Sequence, residues 1–248
     1  MAVDIAASII KAFELILSGN PELYGIVYRT LLFSGTAVIL ATLWATPIAL
    51  LISFREFRGK NTIKAFFNSL IGIPTVVLGL LLFLAFSRGG PMGFFGLLYT
   101  PSGIIIGEAI LVAPIIISIA TTSIEAVDPD IMNLAKTLGA SESQATVAVL
   151  KEATNGVLLA NFASFNRAIA ELGVALLVGG NIAGSGARTD VLTTAISRYV
   201  QQGEFDLAIA LGIILMLLVI VINMTVIVAR KAKMLFAIVK PWVERVKK

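Results

Sequence analysis

The sequence predicts an all-α membrane protein: about five transmembrane helices preceded by an N-terminal amphipathic helix. Three observations predict it. The 248 residues are 58% hydrophobic and 14% charged, with a mean hydropathy of +0.95, against roughly 25% charged residues in soluble domains. Apolar windows recur at the length a bilayer core about 30 Å thick requires, on the order of 20 helical residues. Lys and Arg gather in two stretches, as they do in cytoplasmic segments. Buried helices of soluble proteins rarely sustain apolar runs beyond about 14 residues, so a soluble fold is set aside.

The chain opens with DIAASIIKAFELILS, residues 4–18, too short to span a bilayer. Ile9, Ile10, Phe13, Ile16 and Leu17 recur at helical spacing opposite Lys11 and Glu14, the pattern of a helix lying at an interface. The stretch starts at Asp4 rather than with basic residues, so it is expected to stay on the protein and not to be cleaved as a signal peptide. Segment 1–22 is therefore read as amphipathic, 23–230 as the transmembrane domain and 231–248 as a basic tail.

Windows 30–54, 65–87 and 207–229 hold no Asp, Glu, Lys or Arg. Window 102–124 holds one charge, Glu108, and window 153–178 holds two, Arg167 and Glu171. These are the five spans. Arg55, Arg58, Lys60 and Lys64 follow the first, and Arg230, Lys231, Lys233, Lys240, Arg245, Lys247 and Lys248 follow the last. Both basic stretches belong inside, which places the N-terminus outside and the C-terminus in the cytoplasm of a multi-pass cell-membrane protein. The net charge of +4 is this asymmetry, contact with anionic lipid is its natural use, and a nucleic-acid partner is not indicated. The chain has no His and no Cys. That removes Cys/His metal sites, thiol nucleophiles, His-based triads and disulfides.

Between the third and fourth spans runs VDPDIMNLAKTLGASESQ. Asp128 before Pro129 is a helix start, a capping carboxylate followed by proline at the first helical position. Ile131, Leu134 and Leu138 follow on one face with Ala135 beside them. Gly139 ends the helix cheaply in the left-handed conformation, and Ser141 with Gln144 has capping-box spacing for a new one. A helix this short is marginal alone. Its apolar face either packs on this chain's own spans or docks into a groove on another protein, and the pattern leaves both open.

The segment resembles the EAA loop of ABC-transporter permeases. Asn133, Leu134 and Ala135 stand at the Glu-Ala-Ala, and Gly139 matches the glycine three residues on. Thr137, Leu138, Ala140 and Ser141 match the surroundings. Asn133 departs from the family's Glu, and Lys151-Glu152 from its closing Leu-Pro. FNRAIAELG at 165–173 is similar to the Arg-Ala-x-x-Glu-x-Gly stretch of anion-importer permeases. NSLIGIPTVVLGLLLFLAFSRGGPMG, VGGNI and TDVLTTAI look like the tungstate-type permeases, relatives of those for molybdate. The resemblance covers roughly residues 24–230.

It implies a type I ABC importer permease fold in which loop 125–152 is the coupling element, inserted into the ATP-hydrolysing subunit. Asp130, Leu134, Ala135, Leu138, Gly139, Ala140 and Ser141 would be the ATPase-coupling positions. It further implies a tetrahedral oxyanion cargo, tungstate first and molybdate next, and an extracytoplasmic oxyanion-binding protein that delivers it. Two ABC ATPase subunits would carry the ATP and Mg, with no cofactor and no metal in this chain. Five spans make half a pathway and no internal duplication is visible, so a second copy of the chain is expected.

Other residues keep two readings. Arg167 and Glu171, four apart on one helical face, are a structural ion pair, or Arg167 lends positive potential to a passing anion; Glu108 is expected to face away from the pore or to be paired. Pro47, Pro74 and Pro114 bend spans; Pro74 and Thr75, beside Gly72, are also candidates to line the path. After the fourth span, Gly179, Gly180 and Asn181 either punctuate a loop or offer N–H groups to an anion. Asp190 is expected to cap a helix carrying Leu192, Ile196 and Val200 that ends near Gly203. That helix, with Thr193 and Thr194, would lie at the outer mouth.

No catalytic residue is indicated. No Gly-x₄-Gly-Lys-Ser/Thr occurs, Lys60 being followed by Asn61, so any ATPase must be a separate chain. A stand-alone secondary anion carrier is the first rival and would be expected to show repeats, which are not visible. An intramembrane enzyme is the second; Ser185 has no His to activate it. Permeases for other oxyanions, such as sulfate or phosphate, remain open.

Overall fold

In a computed structural model, described over residues 5–184 and 187–246 with side chains over 7–184, 187–225 and 227–228, every regular element is a helix. Asp4, Ser185, Lys247 and Lys248 lie outside the described residues, as do the side chains of the other tail cations. The helices are α1 (Ile5–Leu17), α2 (Pro21–Phe54), α3 (Lys60–Ile71), α4 (Thr75–Phe86) and α5 (Pro101–Glu125). They continue with α6 (Pro129–Thr137), α7 (Glu142–Ile169), α8 (Gly173–Gly179), α9 (Leu192–Gln202) and α10 (Phe205–Val246).

Three helices are each long and apolar enough to cross a membrane: α2, α5 and the Phe205–Thr225 part of α10. Two bent pairs also pass the test together, α3–α4 at 97° and α7–α8 at 58°. Counting each pair as one broken span gives the five expected spans. Pro47 and Pro114 sit inside continuous helices, but Pro74 does not merely kink its span. The N–H groups of Gly72 and Ile73 turn back to Ser69 O and Leu70 O, and Pro74 becomes the N-cap of a new helix.

The core is built from small residues. Ala37, Ala41 and Ala45 of α2 meet Ala109, Val112 and Ala113 of α5, with Ala168 of α7 alongside. Lipid tails are as apolar as leucine, so membrane helices associate by close backbone approach more than by hydrophobic drive. Alanines supply that approach. α5 is the most enclosed span.

α1 lies against α10. Its buried contact is Ala12, supported by Leu15 and Ile16, while Ile9, Ile10, Phe13 and Leu17 remain exposed. Most of the apolar stripe therefore faces outward, as suits a helix embedded beside lipid. Lys11 is tied to Asp206 at 2.9 Å, and that hydrogen bond raises the lysine pKa.

The expectation that Asp190 caps α9 is corrected. The N-cap is Val191, whose N–H is taken by Thr194 Oγ1 at 3.0 Å. Asp190 is buried and its carboxylate is surrounded by arginines: Arg29 at 2.9 Å, Arg188 at 3.1 Å and Arg198 at 3.6 Å. Arg188 bonds both carboxylate oxygens, and the helix end is met by Thr194 instead.

Candidate coupling and translocation sites

α6 is made by local rules. Asp128 Oδ1 accepts the Asp130 N–H at 3.0 Å, and Pro129 opens the helix. At the other end Gly139 takes φ +86°, the Gly139 N–H reaches Lys136 O, and the Ala140 N–H reaches Ala135 O. That is a glycine-closed terminus. Ser141 and Gln144 then form the capping box that starts α7, both bonds present.

The apolar face divides in two. Ile131 and Met132 pack on Ile124, Val149 and Ala153. Leu134 and Leu138 point away, 62% and 80% exposed. Ile131 thus does not share the outward face with the two leucines. One half of the helix is packed on its own chain, and the other half is free.

A second site forms where the two broken spans meet. α7 ends at Ile169, and Glu171 sits in the break rather than on a continuous helix. Its carboxylate receives Arg167 at 2.9 Å and, through Oε1, the Val174 N–H at 3.0 Å, which caps α8. Its carbonyl accepts the Thr193 hydroxyl at 2.5 Å. The Glu171 side chain is fully buried, whereas Arg167 keeps 32% exposure.

Next in sequence, Gly173 lies against the start of α4. A Cβ there would fall 2.6 Å from Val76 N and 2.7 Å from Thr75 C. One at Gly79 would fall 2.7 Å from Gly173 O. Pro74, Thr75, Arg167, Glu171 and Thr193, scattered over 120 residues of sequence, are thereby brought together. Glu108 belongs to the same region. It is buried in α5, bonds Ser34 of α2 and lies within repulsive range of Glu171. It pairs with no cation among the described residues, and its Oε2 has no hydrogen-bond partner.

The glycine turn after α8 is closed on itself. The Gly180 N–H bonds Leu176 O, the Ile182 N–H bonds Thr189 Oγ1 at 2.9 Å, and Gly179 O accepts from Thr189 at 2.6 Å. The Gly180 N–H is thus taken up inside the turn, as loop punctuation requires. Asn181, at φ +53°, bonds Thr194 O at 3.0 Å. The outer-mouth candidates therefore fall into two places: Thr193 joins the broken-span site, and Asn181 and Thr194 join the turn.

The Asp190 network had only a faint sequence signal, an Asp two residues from Arg188 in a stretch of small and polar residues. Its third arginine, Arg29, is 161 residues away. The network extends to Tyr199, whose hydroxyl donates to Glu22 at 2.7 Å. Burial and that acidic neighbour push the phenol up to about 12. The hydrogen bond to Asp190 raises the Arg188 pKa.

The broken spans, the small-residue core and the exposed knuckle define a multi-pass permease of the type I ABC importer fold. Solved structures agree. A chain of the MetNI methionine ABC transporter, in an inward-facing conformation, superposes with a TM-score of 0.70 at 18% identity, over 86% of this chain and 96% of that one. An amino acid ABC transporter chain gives 0.65 at 17% identity, over 94% and 100%. Residues 34–233 match the family of binding-protein-dependent transport system inner membrane components, and the chain belongs to that family. Among its relatives, the tungstate uptake system permease protein of Peptoclostridium acidaminophilum is 34% identical over 219 residues, 88% of this chain and 95% of the relative. A probable anion ABC transporter permease protein of Haloferax volcanii is 37% identical over 203 residues, covering 81% and 88%.

Proposed function

We propose that this chain forms, as a homodimer, the translocation pathway of an ATP-driven importer for a tetrahedral oxyanion, tungstate first and molybdate next. Two separate ATPase subunits, carrying ATP and Mg, dock on the cytoplasmic side over α6 and the Gly139 turn, at Asp130, Leu134, Ala135, Leu138, Ala140 and Ser141. An extracytoplasmic oxyanion-binding protein delivers cargo from the other side. In this arrangement the N-terminus lies outside and the basic tail inside, against anionic lipid.

One observation carries the coupling role: two leucines stand exposed on a short helix whose ends are both capped and whose other face is packed down. Such a knuckle fits a groove and transmits force without bending. The tungstate uptake relative supports the cargo. Hydrolysis would move the paired knuckles and switch the pathway between outward and inward access, as bistable assemblies do. The broken-span site supplies the pathway chemistry. Arg167, held by Glu171 but still part-exposed, offers positive potential to an anion, and the buried Glu171 and Glu108 carboxyls sit behind it.

Reconstitution tests this. The chain with its ATPase subunits and binding protein, in vesicles, should accumulate tungstate only with ATP. Uptake by the purified chain alone would favour a secondary carrier and sink the proposal. Affinity of the binding protein for tungstate, molybdate, sulfate and phosphate decides the cargo.

A further inference from the structure

The helix next to the knuckle is held in an unusual way. α3, the first half of a broken span, has no buried residue along its length. Ile63, Phe66 and Ile71 are exposed, and Phe67 alone leans on the α2–α5 core. What fastens its cytoplasmic end is polar. Lys60 and Lys64, one helical turn apart, take the two oxygens of a single carboxylate, Glu125, at 3.2 and 2.5 Å. Lys60 also donates to Ser53 O at 3.2 Å and pairs with Glu56 at 2.9 Å. Lys60 and Glu125 are both largely enclosed.

Glu125 is the last residue of α5, and only Ala126, Val127 and Asp128 separate it from α6. That link is stiff. The Ala126 and Val127 N–H groups bond back to Thr122 O and Ile124 O, and Val127 packs beside Ile131 and Met132. Between the link, α6 and the base of α2–α3 lies a groove of about 400 Å³ bordered by Phe54, Glu56, Lys60, Glu125, Asp128 and Met132. Apolar packing therefore does not bridge α6 to α3. The carboxylate does.

We propose that Glu125 is a positioning residue for transport: with Lys60 and Lys64 it forms a clamp that passes displacement of α6 to α3, and so to the broken span beyond it. The inference rests on α6 being the ATPase-docking element. α3 has little else to follow when α6 moves, and a carboxylate held by two cations resists both translation and rotation. The clamp thus fixes both the distance and the orientation between the end of α5 and the start of α3.

The test uses the complete transporter in vesicles, with its ATPase subunits and binding protein. Glu125→Gln should lower ATP-driven uptake roughly tenfold, within the usual range of coupling effects, while the ATPase subunits co-purify at the normal ratio. Exchanging one arm of the clamp, Glu125→Lys with Lys64→Glu, leaves Lys60 on Glu56 and Ser53 O and should recover at least half of the lost uptake. Normal cargo moved per ATP in Glu125→Gln overturns the clamp. So does loss of ATPase co-purification in Glu125→Gln without rescue by the exchange, since that marks a purely structural role. Leu138→Asp run in parallel separates the two readings. If it leaves docking intact, the docking role of α6 fails; if it abolishes docking while Glu125→Gln transports normally, the clamp alone fails.

Discussion

The α6 knuckle and the broken-span site are both built at helix breaks, by opposite means. At the knuckle the break is local: Asp128, Gly139 and Ser141 satisfy the free ends within four residues, and a Cβ added at Gly139 would meet nothing within 4 Å. At the broken spans the break depends on distant chain. Glu171 serves α7, α8 and α9 at once, and Gly173 is glycine because the backbone of α4 occupies the space a Cβ would need. The difference teaches that the part proposed to be grasped by another protein caps its own ends, while the part proposed to line the path is held by its neighbours.

The largest effect should come from removing the shared carboxylate. Glu171→Ala leaves the Arg167 guanidinium without its partner and α8 without its cap. Breaking a buried pair from one side costs about 3–5 kcal/mol. Thermal unfolding of the purified chain in detergent should register it, and an unchanged midpoint would mean that the three helices do not depend on this residue.

Leu138→Asp attacks the other region and should behave in the opposite manner. The side chain is 80% exposed, so the unfolding midpoint should hold. ATPase affinity should drop roughly 100-fold, the scale of an interface hot spot, as read by co-purification or titration. A variant that unfolds but still docks would reverse the contrast between the two regions.

How much of each region could be read in the sequence follows from the same contrast. Pro129, Gly139 and the Ser141–Gln144 spacing act through their own neighbours, so start, stop and restart were all legible. The division of α6 into a packed Ile131 face and a free Leu134–Leu138 face was not, because it depends on where α5 and α7 lie. Five spans could be counted from uncharged windows. Gly72, Pro74 and Thr75 marked a break in the second span, but its 97° angle was not legible, since nothing local says that Gly173, a hundred residues later, packs into the bend. The Asp190 network was missed for the same reason: its arginines reach it from α2, from the loop and from α9.

The two glycines sharpen the comparison. Gly173→Ala should cost about 2 kcal/mol, the overpacking range, because its Cβ would meet main chain that cannot rotate aside. The midpoint should fall, and uptake with it, since α4 and α8 would have to part.

Gly139→Ala has open space around it and pays only for the backbone. An L-residue at φ +86° carries a left-handed penalty of about 1–2 kcal/mol, the smallest effect of the four. Asn should lower it further, because its short polar side chain tolerates that region, and nothing at Gly139 demands room. The ordering Gly, then Asn, then Ala in ATPase-coupled uptake would show that conformation alone matters at the knuckle. A collapse with Asn equal to that with Ala would mean that the missing side chain at Gly139 makes room for the ATPase subunit, and that this turn too is shaped by a neighbour, one from another chain.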